Sequence, residues 1–222
     1  MANPSRKNKI SRSRFQEFVI ALEQQHPENS TALHFKDPFE LLIATVLSAQ
    51  CSDERVNKVT PSLFRQFPNA FQLSGAKKSD VESLIRPTGL FRSKTRSLLG
   101  IAHELVRRHG GIVPATMSQL LKLPGIGRKT ANVVLSQALE IPGFPVDRHV
   151  IRVVNRLGLV RSKDPVVIET ELCAMLPPSC WAKASNTLIA HGRRICKPRP
   201  ICSKCSLRNK CPWMRESGES LA

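Results

Sequence analysis

Four of the chain's seven cysteines crowd into one stretch near its C-terminal end, Cys196, Cys202, Cys205 and Cys211, spaced C-x5-C-x2-C-x5-C. Four soft thiolate donors this close together suit either Zn²⁺ or a [4Fe–4S] cluster. The short spacings require a compact loop wrapped round one centre, closer to a cluster than to two separated zinc knuckles. They also differ from the ferredoxin run, so electron transfer is not the default reading. Cys51, Cys173 and Cys180 are scattered, the total is odd, and the N-terminal segment has no apolar stretch of the signal-peptide kind. A disulfide framework therefore does not fit, whereas a metal or cluster site in a reducing compartment does. Lys197, Arg199, Lys204, Arg208 and Lys210 make the loop strongly cationic.

The rest of the chain reads as helix nearly throughout. Phe39, Leu42, Ile43, Val46 and Leu47 recur at helical spacing behind an Asp37-Pro38 start. Val56, Val59, Leu63 and Phe64 share the next stripe, with Pro61 as a break or kink. Ser79-Asp80 can cap a short helix ending at Ile85. A longer one spans about Ser93 to Arg108 and stops at Gly110-Gly111. Short helices follow over 117–122 and 130–139. The later ones begin after Pro145 and at Asp164-Pro165, and the last long one covers 181–195. No alternating strand pattern and no long repeat interrupts this, so the predicted class is all-α with short connections. The segment 1–15 reads as a mobile cationic arm, with a transit peptide as the weaker alternative, and the tail after Trp213 as frayed.

Hydrophobic residues make up 41% of the 222, enough for a packed interior, and no apolar run approaches bilayer-spanning length. Lys and Arg number 34 against 17 Asp and Glu, a formal net charge of +17. Such an excess suits a polyanion, because neutralising phosphates releases counterions. A merely soluble basic protein is the plainer reading. A membrane surface fits less well, since no Lys-rich helix carries an aromatic face.

LPGIGRKTANVVL, residues 123–135, has the grammar of an anion site. Pro124 restricts Leu123, and Gly125 and Gly127 permit close backbone approach, so the turn can aim successive N–H groups outward. A helix opening near Arg128 adds its own amino end to the same spot. The spacing is neither a P-loop nor GxGxxG, and a plain hinge between core helices fits the turn equally well. Lys129, in that first turn, faces the unfavourable dipole end, which favours a neutral, nucleophilic amine; the plainer role is a phosphate clamp. Asp147, in VDRHVIRV, is first a helix cap and second a carboxylate able to stabilise a developing cation or activate water. His149 is a structural or phosphate-facing histidine before it is a base.

Taken in order, LPGIGRKTANVVL, VDRHVIRV and the cysteine quartet resemble the endonuclease III family, helix–hairpin–helix DNA glycosylases with an iron–sulfur cluster. FELLIATVLSAQCSDERVNKVT and TGLFRSKTRSLLG are similar to further signatures of that family, and the resemblance covers about residues 15–212. It implies two helical lobes with a DNA-binding cleft: a six-helix barrel over 31–141 carrying the helix–hairpin–helix, and a discontinuous cluster domain of 1–30 with 142–222. It implies Lys129 as the nucleophile on C1′ of the damaged nucleotide and Asp147 as the assisting carboxylate. Gln50 and Leu90 would fill the gap left by the flipped nucleotide. Leu123, Gly125, Gly127 and Arg128 would grip phosphate, with His149 beside the DNA. The four cysteines would hold a [4Fe–4S] cluster, with zinc as the alternative.

The activity so implied is a bifunctional glycosylase and abasic-site lyase of base excision repair. It would remove oxidised pyrimidines from double-stranded DNA through a lysine Schiff base and β-elimination. The protein would act as a monomer in the bacterial cytoplasm, at the nucleoid and away from membranes. The adenine glycosylase branch usually lacks a lysine at the position of Lys129. A non-catalytic docking module, or a glycosylase with another lesion or mismatch preference, remains the competing expectation. One departure stands out: the family's first cysteine gap is six residues, and here Lys197 to Ile201 make five.

Overall fold

Caps and breakers set the helix ends before packing does. The computed structural model describes residues 11–28 and 30–216; most of the basic arm and the last residues of the tail lie outside that range. Helix α1 (Arg12–Gln25) opens on Ser11, whose hydroxyl accepts from the Arg14 amide. Helix α2 (Pro38–Leu47) opens on Asp37, whose Oδ1 accepts from the Glu40 amide at 2.8 Å, with Pro38 supplying a pre-set φ in the first turn. Helix α3 (Asp53–Gln66) is capped by Ser52 and α4 (Ala70–Ser74) by Asn69. Helices α5 (Lys78–Ile85) and α6 (Phe91–His109) follow, α6 ending on a left-handed Gly110. Then come α7 (Met117–Leu120), α8 (Arg128–Ala138), α9 (Arg148–Arg156), α10 (Pro165–Met175), α11 (Trp181–Arg194) and α12 (Pro212–Glu216). Among the described residues there is no strand, as an all-α chain requires.

The chain divides into two compact units, residues 31–143 and residues 1–30 with 144–222. In the first, α2 is buried along most of its length and touches α3, α6 and α8. Helix α6 packs on α4 and α5, and α7 packs on α8. Seven α-helices build this unit, α4 and α7 being single turns, where the resemblance implied six. In the second unit α1 lies on α10 and α11, and α9 packs along α11. The core there joins Phe15, Phe18 and Leu22 of α1 to Val150 and Val153 of α9 and Leu188 of α11.

Three local expectations are corrected. Pro61 does not break α3, which runs through it. The missing N–H costs one helix bond, but Val56, Val59, Leu63 and Phe64 are buried on one face. Asn57 also pins the helix to the loop before α2, donating to the Ala32 carbonyl at 2.8 Å and accepting from the His34 amide at 2.9 Å. Ser79-Asp80 lie inside α5 rather than at its cap, which is Lys77. Helix α6 starts at Phe91, two residues before the expected place, because Leu90 takes up the turn in a left-handed conformation.

Candidate functional site

The LPGIG turn is set by what lies under it. Leu123 and Ile126 are buried, which orients the turn between them. A Cβ at Gly100 of α6 would come within 2.9 Å of the Pro124 ring, so the proline seats on a bare patch of that helix. Gly125 has φ +78°, and a Cβ there would meet the Ser97 hydroxyl at 3.0 Å; both conformation and space call for glycine. At Gly127 a Cβ would meet nothing within 4 Å, so that glycine leaves an open backbone surface. It is the N-cap of α8 and, as a glycine, brings no capping side chain of its own. Arg128 and Lys129 are exposed in the first turn. An exposed amine beside a glycine-capped helix start can combine a nucleophile with an anion seat.

In the same unit Gln50 and Leu90 occupy left-handed backbone, φ +53° and +48°, and both are exposed. For residues with a Cβ this costs about 1–2 kcal/mol each, so the surroundings must hold it. Phe91, next to Leu90, carries the guanidinium carbons of Arg86 and Arg92 at 5.8 and 5.2 Å from its ring centre. Behind both loops lies Lys94, only 5% exposed. Its ammonium donates to the carbonyls of Leu47 and Thr88, each at 2.8 Å, and burial pushes its pKa below that of an ordinary lysine.

In the second unit Asp147 is the N-cap of α9. Its Oδ1 accepts from the His149 and Val150 amides at 2.7 and 3.0 Å, which orients a mostly buried carboxylate. His149 Nδ1 lies 3.1 Å from Arg152 Nη2. A guanidinium can only donate, so this contact is a hydrogen bond where Nδ1 carries no proton. Burial lowers the His149 pKa, against the pull of Asp147.

Cys196, Cys202, Cys205 and Cys211 line one pocket of their loop. Its walls include Leu157, Ile195, Trp213 and Met214 with Arg156 and Arg208. Among the described residues no three His, Cys, Asp or Glu side chains converge as ligands of a single metal ion. All four thiols line the same pocket, a soft donor set of the kind that holds zinc or an iron–sulfur cluster. Burial raises the Cys205 and Cys211 pKa values, so loading the site would release protons.

Two arginines of α9 hold the short first gap. Arg152 donates to the Cys196 and Gly192 carbonyls, each at 2.8 Å. Arg156 donates to the Lys197 and Pro198 carbonyls at 2.6 and 3.0 Å, lies 3.4 Å from Cys196 Sγ, and stacks 4.4 Å over the Trp213 ring. The Ile201 amide closes the loop onto the Ile195 carbonyl at 3.0 Å. The five-residue gap is thus a tight turn that keeps Cys196 and Cys202 on one cavity. Helix α1 braces the same loop through Gln25 to Ser206 and Glu17 to Lys210. His191, pushed down to about 4 by burial, bridges His26 at 3.1 Å and Cys205 Sγ at 3.7 Å.

The fold therefore gathers Gln50, Leu90 and the hairpin residues Leu123 to Lys129 on one unit, and Asp147, His149 and the cysteines on the other. Lys94 was missed from the sequence. Its signal is a lysine in register with the apolar stripe Leu98, Ile101, Ala102 and Leu105. Arg152 and Arg156 carry no such signal, since their partners are carbonyls some 40 residues away.

The sequence pattern of the HhH-GPD superfamily of base excision DNA repair proteins matches residues 43–178. The endonuclease III of a Synechocystis species is 42% identical over 219 residues, covering 98% of this chain and all of the relative. That of Thermotoga maritima is 41% identical, covering 82% of this chain and 86% of its own length. Among solved structures, a trapped covalent intermediate of endonuclease III with DNA superposes with a TM-score of 0.88 at 36% identity. It covers 94% of this chain and 99% of the other.

Proposed function

The chain belongs to the endonuclease III family of HhH-GPD base excision DNA repair proteins, and from that premise we propose residue roles for its chemistry. It is a base excision DNA glycosylase with abasic-site lyase activity. The observation that carries the roles is Lys129: an exposed residue in the first turn of α8, next to a glycine N-cap whose backbone surface is open. The turn Leu123 to Arg128 seats a phosphate of double-stranded DNA, and Lys129 is thereby held toward C1′ of a flipped nucleotide.

The Nζ lone pair attacks C1′ and the glycosidic bond breaks, its electron pair leaving with the base, which takes up a proton. Loss of the amine proton and opening of the sugar give the C1′ imine. Removal of a C2′ proton then expels the 3′ phosphate by β-elimination, and water releases the lysine. Asp147, oriented by two amides of α9, assists by stabilising the developing cation and accepting the amine proton. Gln50 and Leu90 fill the gap in the duplex, and His149 lies at the DNA as a neutral side chain. Oxidised pyrimidines are the proposed substrates, with a monomer acting at the bacterial nucleoid.

Cys196, Cys202, Cys205 and Cys211 would hold a [4Fe–4S] cluster. When bound, such a cluster ties four points of the loop to one rigid, redox-active core. The compact spacing of four thiols lining one pocket supports it over zinc.

Borohydride reduction on an abasic duplex tests the roles. The wild-type protein forms a covalent adduct, Lys129→Ala forms none, and Asp147→Asn forms it at least tenfold more slowly. An undiminished adduct in Lys129→Ala would overturn the assignment. Turnover on duplexes bearing oxidised pyrimidines, or thymine or uracil in mismatches, separates the substrate classes.

A further inference from the structure

We propose that Lys94 is the positioning residue that ties the Gln50 and Leu90 loops into one wedge, so that the two gap-filling side chains are presented together. The inference rests on the gap-filling role given to those two residues above.

The geometry points the same way from both sides. Leu47 is the last residue of α2, and its carbonyl is one that no further helical turn satisfies. The Gln50 loop leaves from there. Thr88 ends the 3-10 turn Arg86–Thr88, and Gly89 and Leu90 follow with φ +68° and +48°. Lys94 Nζ donates to both carbonyls at 2.8 Å. Its own backbone amide donates to the Leu90 carbonyl at 3.0 Å. One residue therefore holds the chain on either side of Leu90 and reaches across to the root of the Gln50 loop.

A buried ammonium is an expensive way to fill space. Leu98, Ile101 and Leu105 on the same face of α6 are apolar, and a methionine in their register would pack without desolvating a charge. What the ammonium supplies is several strong donors on one centre, able to join two carbonyls from separate loops. Left-handed backbone at two residues with side chains persists only where the surroundings over-determine it. Lys94 is the contact common to both loops.

The test is a mutant cycle read on excision of an oxidised pyrimidine from duplex DNA, with Lys94→Met removing the donors and keeping the stem. Excision by Lys94→Met falls at least tenfold. Borohydride trapping on a single-stranded abasic oligonucleotide, where no duplex gap needs filling, falls far less. In a Gln50→Ala/Leu90→Ala background, already slow, Lys94→Met costs less than a further twofold, because the residues it positions are gone. The proposal is overturned if Lys94→Met excises within twofold of wild type, or if its tenfold loss persists in that background. If the double variant itself excises like wild type, the gap-filling role fails, and the proposal with it. Should Lys94→Met not melt cooperatively, Lys94→Gln, which keeps a donor, is measured in the same way. Loss of the fold in both would make Lys94 a core residue only and overturn the positioning role.

Discussion

His149 sits where burial and charge pull in opposite directions. Burial lowers its pKa below the ordinary 6.5, Asp147 raises it, and burial wins. Below pH 6.5 the unfolded chain takes up a proton here that the folded protein refuses until the lowered pKa is reached. Folded stability is therefore present above that window and is lost as pH falls through it. His26 and His191 are lowered in the same direction. We expect the melting temperature to drop between pH 7 and 5, and His149→Asn to flatten part of that slope; an unchanged slope would refute the histidine's share. At this scale the sequence was informative for Asp147, whose capping role is local and whose Oδ1 does bind two α9 amides. It was silent about Lys94, because a lysine two carbonyls deep in the fold has the same letter as one in water.

Helices approach each other here through glycines. A Cβ at Gly192 of α11 would stand 2.7 Å from His149 Cβ and 3.2 Å from Val153 Cγ2 on α9. Gly192→Ala should push α9 aside at the end that carries Asp147, costing about 1–3 kcal/mol as an overpacked contact does. Thermal melts measure that loss, and we expect base excision to slow with it. Wild-type stability in Gly192→Ala would show that the helices yield freely. At the hairpin, Gly125→Ala combines a left-handed φ with the Ser97 contact. It should weaken binding to duplex DNA by tenfold or more while leaving the α8 core residues Val134 and Leu135 buried. Pro61 teaches the reverse lesson: a local breaker signal lost to a buried face and to the Asn57 clamp.

Across the whole molecule the charge of +17 sets how the protein meets DNA. Each phosphate neutralised should steepen the fall of log K with log salt by about 0.9, so titrating salt counts the contacts. The described residues include no helix long and apolar enough to cross a membrane. The cysteine cavity gives a second test at this scale. Cys202→Ser should lower iron content and visible absorbance and reduce stability, since the loop bracing α1, α9 and α11 loses its core. A protein purified without oxygen that holds zinc and no iron would overturn the cluster.

Sequence alone determined the helical class, the helix starts marked by Asp37, Asp147 and Asp164, the glycine turn before Lys129 and the cysteine quartet. Each of these depends on residues near one another in the chain, where backbone geometry and capping act. Only the tertiary structure decided that α3 survives its proline. It alone showed that Arg152 and Arg156 hold the shortened cysteine gap, and that Lys94 clasps two left-handed loops. Those outcomes turn on burial and on carbonyls distant in sequence. The worth of a charge there depends on what surrounds it rather than on which residue carries it.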